Sequence, residues 1–239
     1  MCIESYNDQT LKSKLALANY AIDPELLTDY IPRKTELDYW NNTCYVSLVG
    51  FMFLNTRLLG IPIPFHRNFE EVNLRFYVRY KDKNEWKRGV VFIKEIVPKH
   101  ALTFVANTVY GEHYQTMKMN HQWSHNGAQL NVRYSWWNKN VDHCFSVTAD
   151  GQSKDIVAGS EVEFITEHYW GYTRINANKT FEYEVTHPKW QYYPVRSYDI
   201  KMDFATLYGS EFNELNQAKP LSVMLAEGSD ISVENKKSI

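Results

Sequence analysis

Residues 71–80 alternate Glu71, Asn73, Arg75, Tyr77 and Arg79 with Val72, Leu74, Phe76, Val78 and Tyr80. A period of two is that of a β-strand, so the first set shares one face. A carboxylate, an amide, a guanidinium and a phenol in a row suit either a solvated strand face or the wall of a polar pocket. A second dense set is Glu167-His168-Tyr169-Trp170-Gly171-Tyr172-Thr173-Arg174. It offers a general base, an acid–base imidazole, phenols and a carboxylate clamp. The alternative is structural: Tyr169, Trp170 and Tyr172 seal a core while Glu167 and Arg174 pair.

Other constellations carry less chemistry. His113, His121 and His125 are close in sequence, but zinc needs further ligands and no acid or cysteine joins them, so no metal is expected. Asp142-His143-Cys144 resembles an activated thiol, yet neighbouring strand residues point to opposite faces, so His143 cannot serve Cys144. No GxSxG, phosphate-binding loop or dinucleotide fingerprint occurs, and no cofactor is expected.

The elements that must position these residues are mostly strands. Lys14–Ile22, Thr35–Trp40, Thr43–Leu54, Glu71–Tyr80, Gly89–Val97 and Val141–Thr148 read as strands, with Asn41-Asn42 as a hairpin turn. Gly60 to Phe69 reads as a loop stiffened by Pro62 and Pro64. Asn126-Gly127 predicts a two-residue hairpin that sets Lys118 against Ser135 on a polar outer face. Tyr172–Ile175 and Thr180–Thr186 form another hairpin, and Gln191–Met202 continues the sheet. Ser222–Ala226 and Ile231–Glu234 flank a further turn. Helices are predicted over Pro24–Tyr30, Lys99–Tyr110 with Gly111 as its stop, the capping box at Ser160-Glu163, and Phe204–Leu215.

Composition bounds the function. The chain has 239 residues, 44% apolar and 15% aromatic, with net charge −2. That describes one globular domain over 1–239, with residues 1–12 and 235–239 flexible, and argues against nucleic acid as a partner. Three dispersed cysteines fit a reducing cytoplasm. The polar start, MCIESYNDQT, is not read as a signal peptide, and no apolar run is long enough for a membrane span.

Several stretches together resemble the bacterial YqjF-like family of uncharacterised proteins: ANYAIDPELLTDYIP, ELDYWNNTCYVSLVGFMFLNTRLLGIPIPFHRNFEEVNLRFYV, RGVVFIKEIVP, YGEHY, EFITEHYWGYTR, THPKWQYYPVR and SVMLAEGS. More distantly that family resembles acetoacetate decarboxylase. The resemblance implies an α+β fold, mostly antiparallel: a closed barrel with a central cavity and a few short helices. It also implies a pocket strand opening at Phe69-Glu70-Glu71. The decarboxylase forms a Schiff base through one of two adjacent lysines. Aligned on Gly111, those positions fall on Tyr114 and Gln115, and the nearest lysine is Lys118. The departures remove that chemistry.

What remains is a small-molecule ligand, an organic acid or similar, bound by Glu71, Asn73, Arg75, Tyr114, Tyr169 and Arg174. The alternatives are an enzyme using Glu167, His168 and Tyr114 on a carbonyl or enol compound, and a structural protein with a packed interior.

Overall fold

The alternation over residues 71–80 produces the longest strand of the fold. The structure, a computed structural model, describes residues 3–5, 13–58, 61–62, 64–234 and 236–239. Strands β1 (Lys14–Ala21), β2 (Thr43–Phe53), β3 (Phe69–Asp82) and β4 (Glu85–Val97) lie side by side, all antiparallel. Asn41 and Asn42 make the turn into β2 with φ of 47° and 60°, a left-handed pair that asparagine tolerates. Helix α1 (His100–Tyr110) follows and ends at Gly111, whose φ of 66° is the left-handed C-cap expected there. Strand β5 (Tyr114–Thr116) then returns parallel to β4.

The next three strands, β6 (Lys118–His125), β7 (Gln129–Asn138) and β8 (Val141–Asp150), start a second sheet. The chain continues through α2 (Glu161–Thr166), β9 (Trp170–Asn176), β10 (Lys179–Thr186), β11 (Gln191–Tyr193) and β12 (Val195–Lys201). It closes with α3 (Phe204–Tyr208), β13 (Ser222–Glu227), β14 (Ile231–Val233) and β15 (Lys237–Ser238). Strand β12 completes the second sheet beside β8, and β9, β10, β11, β13, β14 and β15 join the first.

Both faces of the first sheet are buried, which explains the near-continuous apolar runs of β1 and β2. Ala16, Ala18, Leu48, Leu74 and Phe76 face the second sheet and α3. Leu17, Tyr45, Val49 and Tyr77 turn the other way and pack with Phe164 and Ile165 of α2. From Glu71 to Tyr77 the mixed polar set on β3 therefore does not face solvent, while Arg79 stays partly exposed beside Glu36. The second sheet covers one side of β3, and the Glu71–Tyr77 side looks into the interior.

Several expectations are corrected. Among the described residues the strand pairings do not return on themselves, so the sheet is open and not a closed barrel. One end of the sheet is Lys154–Asp155 beside β11, and the other runs from β10 through β14, Ile3–Ser5 and Thr56–Leu58 to Ile61–Pro62. The β6–β7 register is two residues from that predicted: His125 pairs with Leu130, and Lys118 with Trp137 instead of Ser135. The Asn126 carboxamide accepts from the amides of Ala128 and Gln129, at 3.2 and 2.8 Å, and holds a longer loop. A shift of two preserves the faces, so Lys118 stays exposed, 5.4 Å from the Trp137 ring.

The helix expected over Phe204–Leu215 splits at Gly209, whose φ of 132° no helix holds, into α3 and a 3-10 turn over Ser210–Asn216. Ser222–Glu227 and Ile231–Val233 are not partners of each other. β13 pairs with β1 and β11, and β14 with β10 and Ile3–Ser5. Short segments near both ends pair into the sheet. Ile3–Ser5 pairs with Thr56–Leu58, β15 pairs with β10, and the Ile239 amide donates to the Thr180 carbonyl at 3.0 Å. Residues 1–2, 6–12 and 235 lie outside the described residues, as do Gly60 and Ile63 of the proline-stiffened loop. Within that loop Ile61–Pro62 pairs with Arg57 and Leu58.

Candidate functional site

The inward side of β3 borders a cavity of about 450 Å³. Strand register assembles its polar wall. Asn73 lies opposite Val49 of β2 on one side and Glu95 of β4 on the other, and Glu95 lies opposite Tyr114 of β5. Paired residues share a face, so Asn73, Glu95 and Tyr114 form one row, with Glu71 and Arg75 above and below. A β-bulge shapes the wall further. Leu74 pairs with Lys94 but Arg75 pairs with Phe92, leaving Ile93 as the extra residue. Simple alternation would set Glu95 and Phe92 on opposite faces, and the bulge turns both toward the cavity.

The polar cluster is buried. Glu71, Asn73 and Glu95 are 2%, 1% and 4% exposed. Asn73 Nδ2 donates to Glu71 Oε1 at 2.9 Å, and the Tyr114 hydroxyl reaches Glu71 Oε2 at 3.5 Å. Burial pushes the Glu71 carboxyl up to about 7, with Glu112 adding to the rise and Asn73, Tyr114 and Arg75 opposing it. Burial, then the charges of Glu71 and Glu112, raise Glu95 well above the carboxylate range. Burial and the same acids likewise raise Tyr114. Glu112 accepts from Lys236 Nζ at 2.5 Å and from Thr173 Oγ1 at 2.9 Å.

Arg75 stands at the other end of the row. Its Nη2 makes one long contact to the Ile165 carbonyl, 3.4 Å, and its Nε is buried without a hydrogen-bond partner. Asn73 Oδ1 and Glu95 Oε2 are also buried and unpartnered. The capping box positions Ile165. Ser160 Oγ accepts from the Glu163 amide at 3.2 Å, starting the turn that ends beneath Arg75. The Glu163 carboxylate reaches back one residue further than expected, to the Gly159 amide at 2.7 Å.

The second sequence cluster divides. His168 lies on the cavity wall, where its Nε2 meets Asp38 Oδ2 at 3.3 Å, and Arg88 Nε donates to that same oxygen at 2.6 Å. Burial lowers His168 to about 4, so its ring is neutral at ordinary pH. Tyr169 donates to the Glu167 carboxylate and packs its ring, tilted, against His187, and Arg174 donates to the Asp29 carbonyl. Tyr169, Glu167 and Arg174 are not among the residues bordering the cavity; Arg174 borders a smaller pocket with Asp29 and His113. His121 bonds Glu70 at 2.7 Å and His125 bonds the Gly151 carbonyl at 3.1 Å. His143 stacks on Trp136, and Cys144 is buried on the opposite face.

Several wall residues escape the sequence reading, Glu112, Tyr183 and His187 among them. Glu95 sits in a strand whose apolar run hides the bulge, and Lys236 belongs to the tail expected to fray. The remaining wall is largely apolar, with Phe51, Phe53, Phe69, Phe92, Leu102 and Val105 among its members. The interior is not packed shut.

A raised carboxyl pKa makes stability depend on pH in a defined direction. Between the unfolded value of about 4.3 and the folded value of about 7, the folded state holds the proton and the unfolded state does not. Stability therefore falls as pH rises through that window. Glu71→Gln should remove this loss, gaining roughly 1–3 kcal/mol over the wild type near pH 8 relative to near pH 5. Urea titrations at the two pH values check it, and parallel curves for the two proteins would show that Glu71 ionises freely.

This mostly antiparallel fold with a few short helices is similar to that of acetoacetate decarboxylase-like proteins. Acetoacetate decarboxylase from Legionella pneumophila superposes with a TM-score of 0.64 at 14% identity, over 99% of this chain and 86% of that one. The enduracididine biosynthesis enzyme MppR complexed with pyruvate superposes with a TM-score of 0.63 at 12% identity, over 99% and 89%. At these identities the likeness shows the fold. Residues 9–230 match the DUF2071 family, described as an uncharacterized conserved protein, and the chain belongs to that family. The chain is also 40% identical over 67 residues to YqjF of Bacillus subtilis (strain 168), a match spanning 28% of each protein. Among the described residues no helix is long and apolar enough to cross a membrane.

Proposed function

We propose that the protein binds a small organic acid in this cavity, with Arg75 as the anchor for its carboxylate. The observation that carries this reading is the Arg75 guanidinium on the cavity wall, its Nε buried and unpartnered. A buried donor without an acceptor is costly, and a ligand carboxylate supplies the missing acceptor. The neighbouring acids do not forbid an anion: Glu71, pushed up to about 7, is only partly ionised at neutral pH, burial raises Glu95 well above the carboxylate range, and Glu112 is paired with Lys236. The pyruvate complex of MppR gives the fold a precedent for an organic acid. We place this activity in a single domain in the bacterial cytoplasm, and Cys44 and Cys144 are free thiols, as a reducing compartment requires.

Titration calorimetry with pyruvate and butyrate tests the reading. Arg75→Met should weaken binding by about 10- to 100-fold, the usual worth of a buried charge-assisted hydrogen bond. Affinity should also fall between about pH 6 and pH 8 as Glu71 ionises beside the anion, and Glu71→Gln should flatten that dependence. A wild type that binds no carboxylate overturns the reading.

A second reading, acid–base catalysis on a carbonyl or enol compound, is favoured by one observation: the Glu71 carboxyl, pushed up by burial to about 7, lies 3.5 Å from the Tyr114 hydroxyl. Loss of the C–H signal beside the carbonyl of a 2-oxo acid in D₂O, followed by proton NMR, would report it. Neither reading uses a lysine imine. Tyr114 and Gln115 cannot form one, Lys118 is exposed, and Lys236 is engaged by Glu112. Borohydride reduction with acetoacetate should leave no adduct, and an adduct on Lys118 or Lys236 would refute this.

A further inference from the structure

The cavity is larger than a pyruvate-sized acid needs, and Glu71, Asn73, Arg75 and Glu95 are gathered in one part of it, with Arg57 and His66 elsewhere on its lining. Along β3 the side chains of Phe69, Glu71, Asn73 and Arg75 share the cavity face. At about 3.4 Å per residue, Phe69 lies roughly 20 Å from Arg75. From Glu71 to Arg75 the wall is polar. Beyond Glu71 it becomes aromatic and aliphatic. The ring centroids of Phe51 and Phe53, and of Phe53 and Phe69, are each 4.9 Å apart, which makes a continuous aromatic run. Helix α1 supplies Leu102 and Val105, three residues apart and so on one helical face, to the same cavity. An acid no larger than pyruvate, held at Arg75, reaches none of these groups. A cavity of about 450 Å³ is in the range that encloses a drug-sized ligand.

We propose that the ligand is a carboxylic acid with an apolar tail of about eight to twelve carbons, its carboxylate at Arg75 and its tail along β3 against the Phe51–Phe53–Phe69 run and α1. This rests on the organic-acid reading and adds the size and polarity of the rest of the molecule. Phe53, Phe69, Leu102 and Val105 then set chain length, because each methylene that reaches them leaves water for an apolar wall.

The test is calorimetry on the full chain with butyrate, hexanoate, octanoate and decanoate, each below its micelle concentration. Affinity should rise about fourfold per methylene from butyrate to octanoate, the transfer of one CH₂ from water. Leu102→Trp fills the apolar end and should abolish the gain beyond hexanoate. Val105→Trp, at a more exposed position on the same face, should do the same if Leu102→Trp fails to fold. Arg75→Met should weaken the whole series together. A flat series in a protein that still binds butyrate through Arg75 overturns this inference and leaves the organic-acid reading intact. Failure of every acid to bind overturns both. Octanoate binding that survives Arg75→Met but is lost in Arg57→Met would put the carboxylate at the opposite end of the cavity and overturn the orientation.

Discussion

Trp136→Ala is expected to lower the free energy of unfolding by about 3–5 kcal/mol, the largest loss from any single side chain considered. Trp136 is fully buried between the two sheets, 5.9 Å from the His143 ring and stacked on it. Its own strand is hydrogen-bonded on both sides and holds its neighbours in place: Trp136 pairs with Met119 on β6 and His143 on β8. They cannot collapse into the space, so the cavity cost adds to the lost transfer energy. The indole Nε1 makes no hydrogen bond, so truncation strands no partner and the loss is one of packing. Trp136→Phe keeps most of the buried surface and should cost far less. Denaturant melts measure the difference, and a loss under about 1 kcal/mol for the alanine variant would mean that the sheets repack.

Gly89→Ala should be next, at about 2–4 kcal/mol, despite adding a single methyl group. Gly89 lies opposite Trp170 where β4 meets β9 in parallel, a junction of two residue pairs. A Cβ on Gly89 would stand 2.5 Å from the Trp170 carbonyl oxygen and 2.6 Å from the Tyr172 ring. The oxygen is backbone and cannot swing aside, so the ladder itself must open. His168 and Trp170, both on the cavity wall, are carried by that junction, so ligand binding should fall with stability. Gly127→Ala is the control. Its φ is +81°, but nothing lies within 4 Å of a Cβ there, so only the backbone penalty of about 1 kcal/mol applies. Equal losses for the two variants would show that the Gly89 contact yields.

Three residues of the cavity wall were legible because they rest on one uninterrupted periodic segment. The alternation over residues 71–80 fixed which side chains share a face, and the structure sets Glu71, Asn73 and Arg75 on the cavity together. Which face would be buried was not legible, since that depends on a second sheet hydrogen-bonded to nothing in the first. Tyr114 entered through the family alignment on Gly111 and lies beside Glu71. Glu95 could not be read, because one extra residue in β4 reverses the parity on which strand reasoning depends. Tyr169 and Arg174 have side-chain types suited to a pocket, but their hydrogen bonds are used at Glu167 and Asp29. The two-residue slip of the β6–β7 hairpin has a similar origin. Asn126-Gly127 permits a tight turn, while the Asn126 side chain stabilises a longer one.

Strand β1 has its two neighbours at very different points of synthesis. On one edge it pairs with β2, about thirty residues downstream, and on the other with β13, where Lys14 lies opposite Glu227. A growing chain can thus build β1 to β4 early but must wait more than a hundred residues to cover that second edge. During the wait, Ala16, Leu17 and Ala18, all fully buried in the finished protein, border an unpaired row of amides and carbonyls. A ribosome paused beyond β8 would hold a half-built sheet with an open, apolar margin, the kind of surface on which nascent chains join one another or recruit a chaperone. Codon usage and temperature during expression should therefore govern the soluble yield of this protein more strongly than its final stability does.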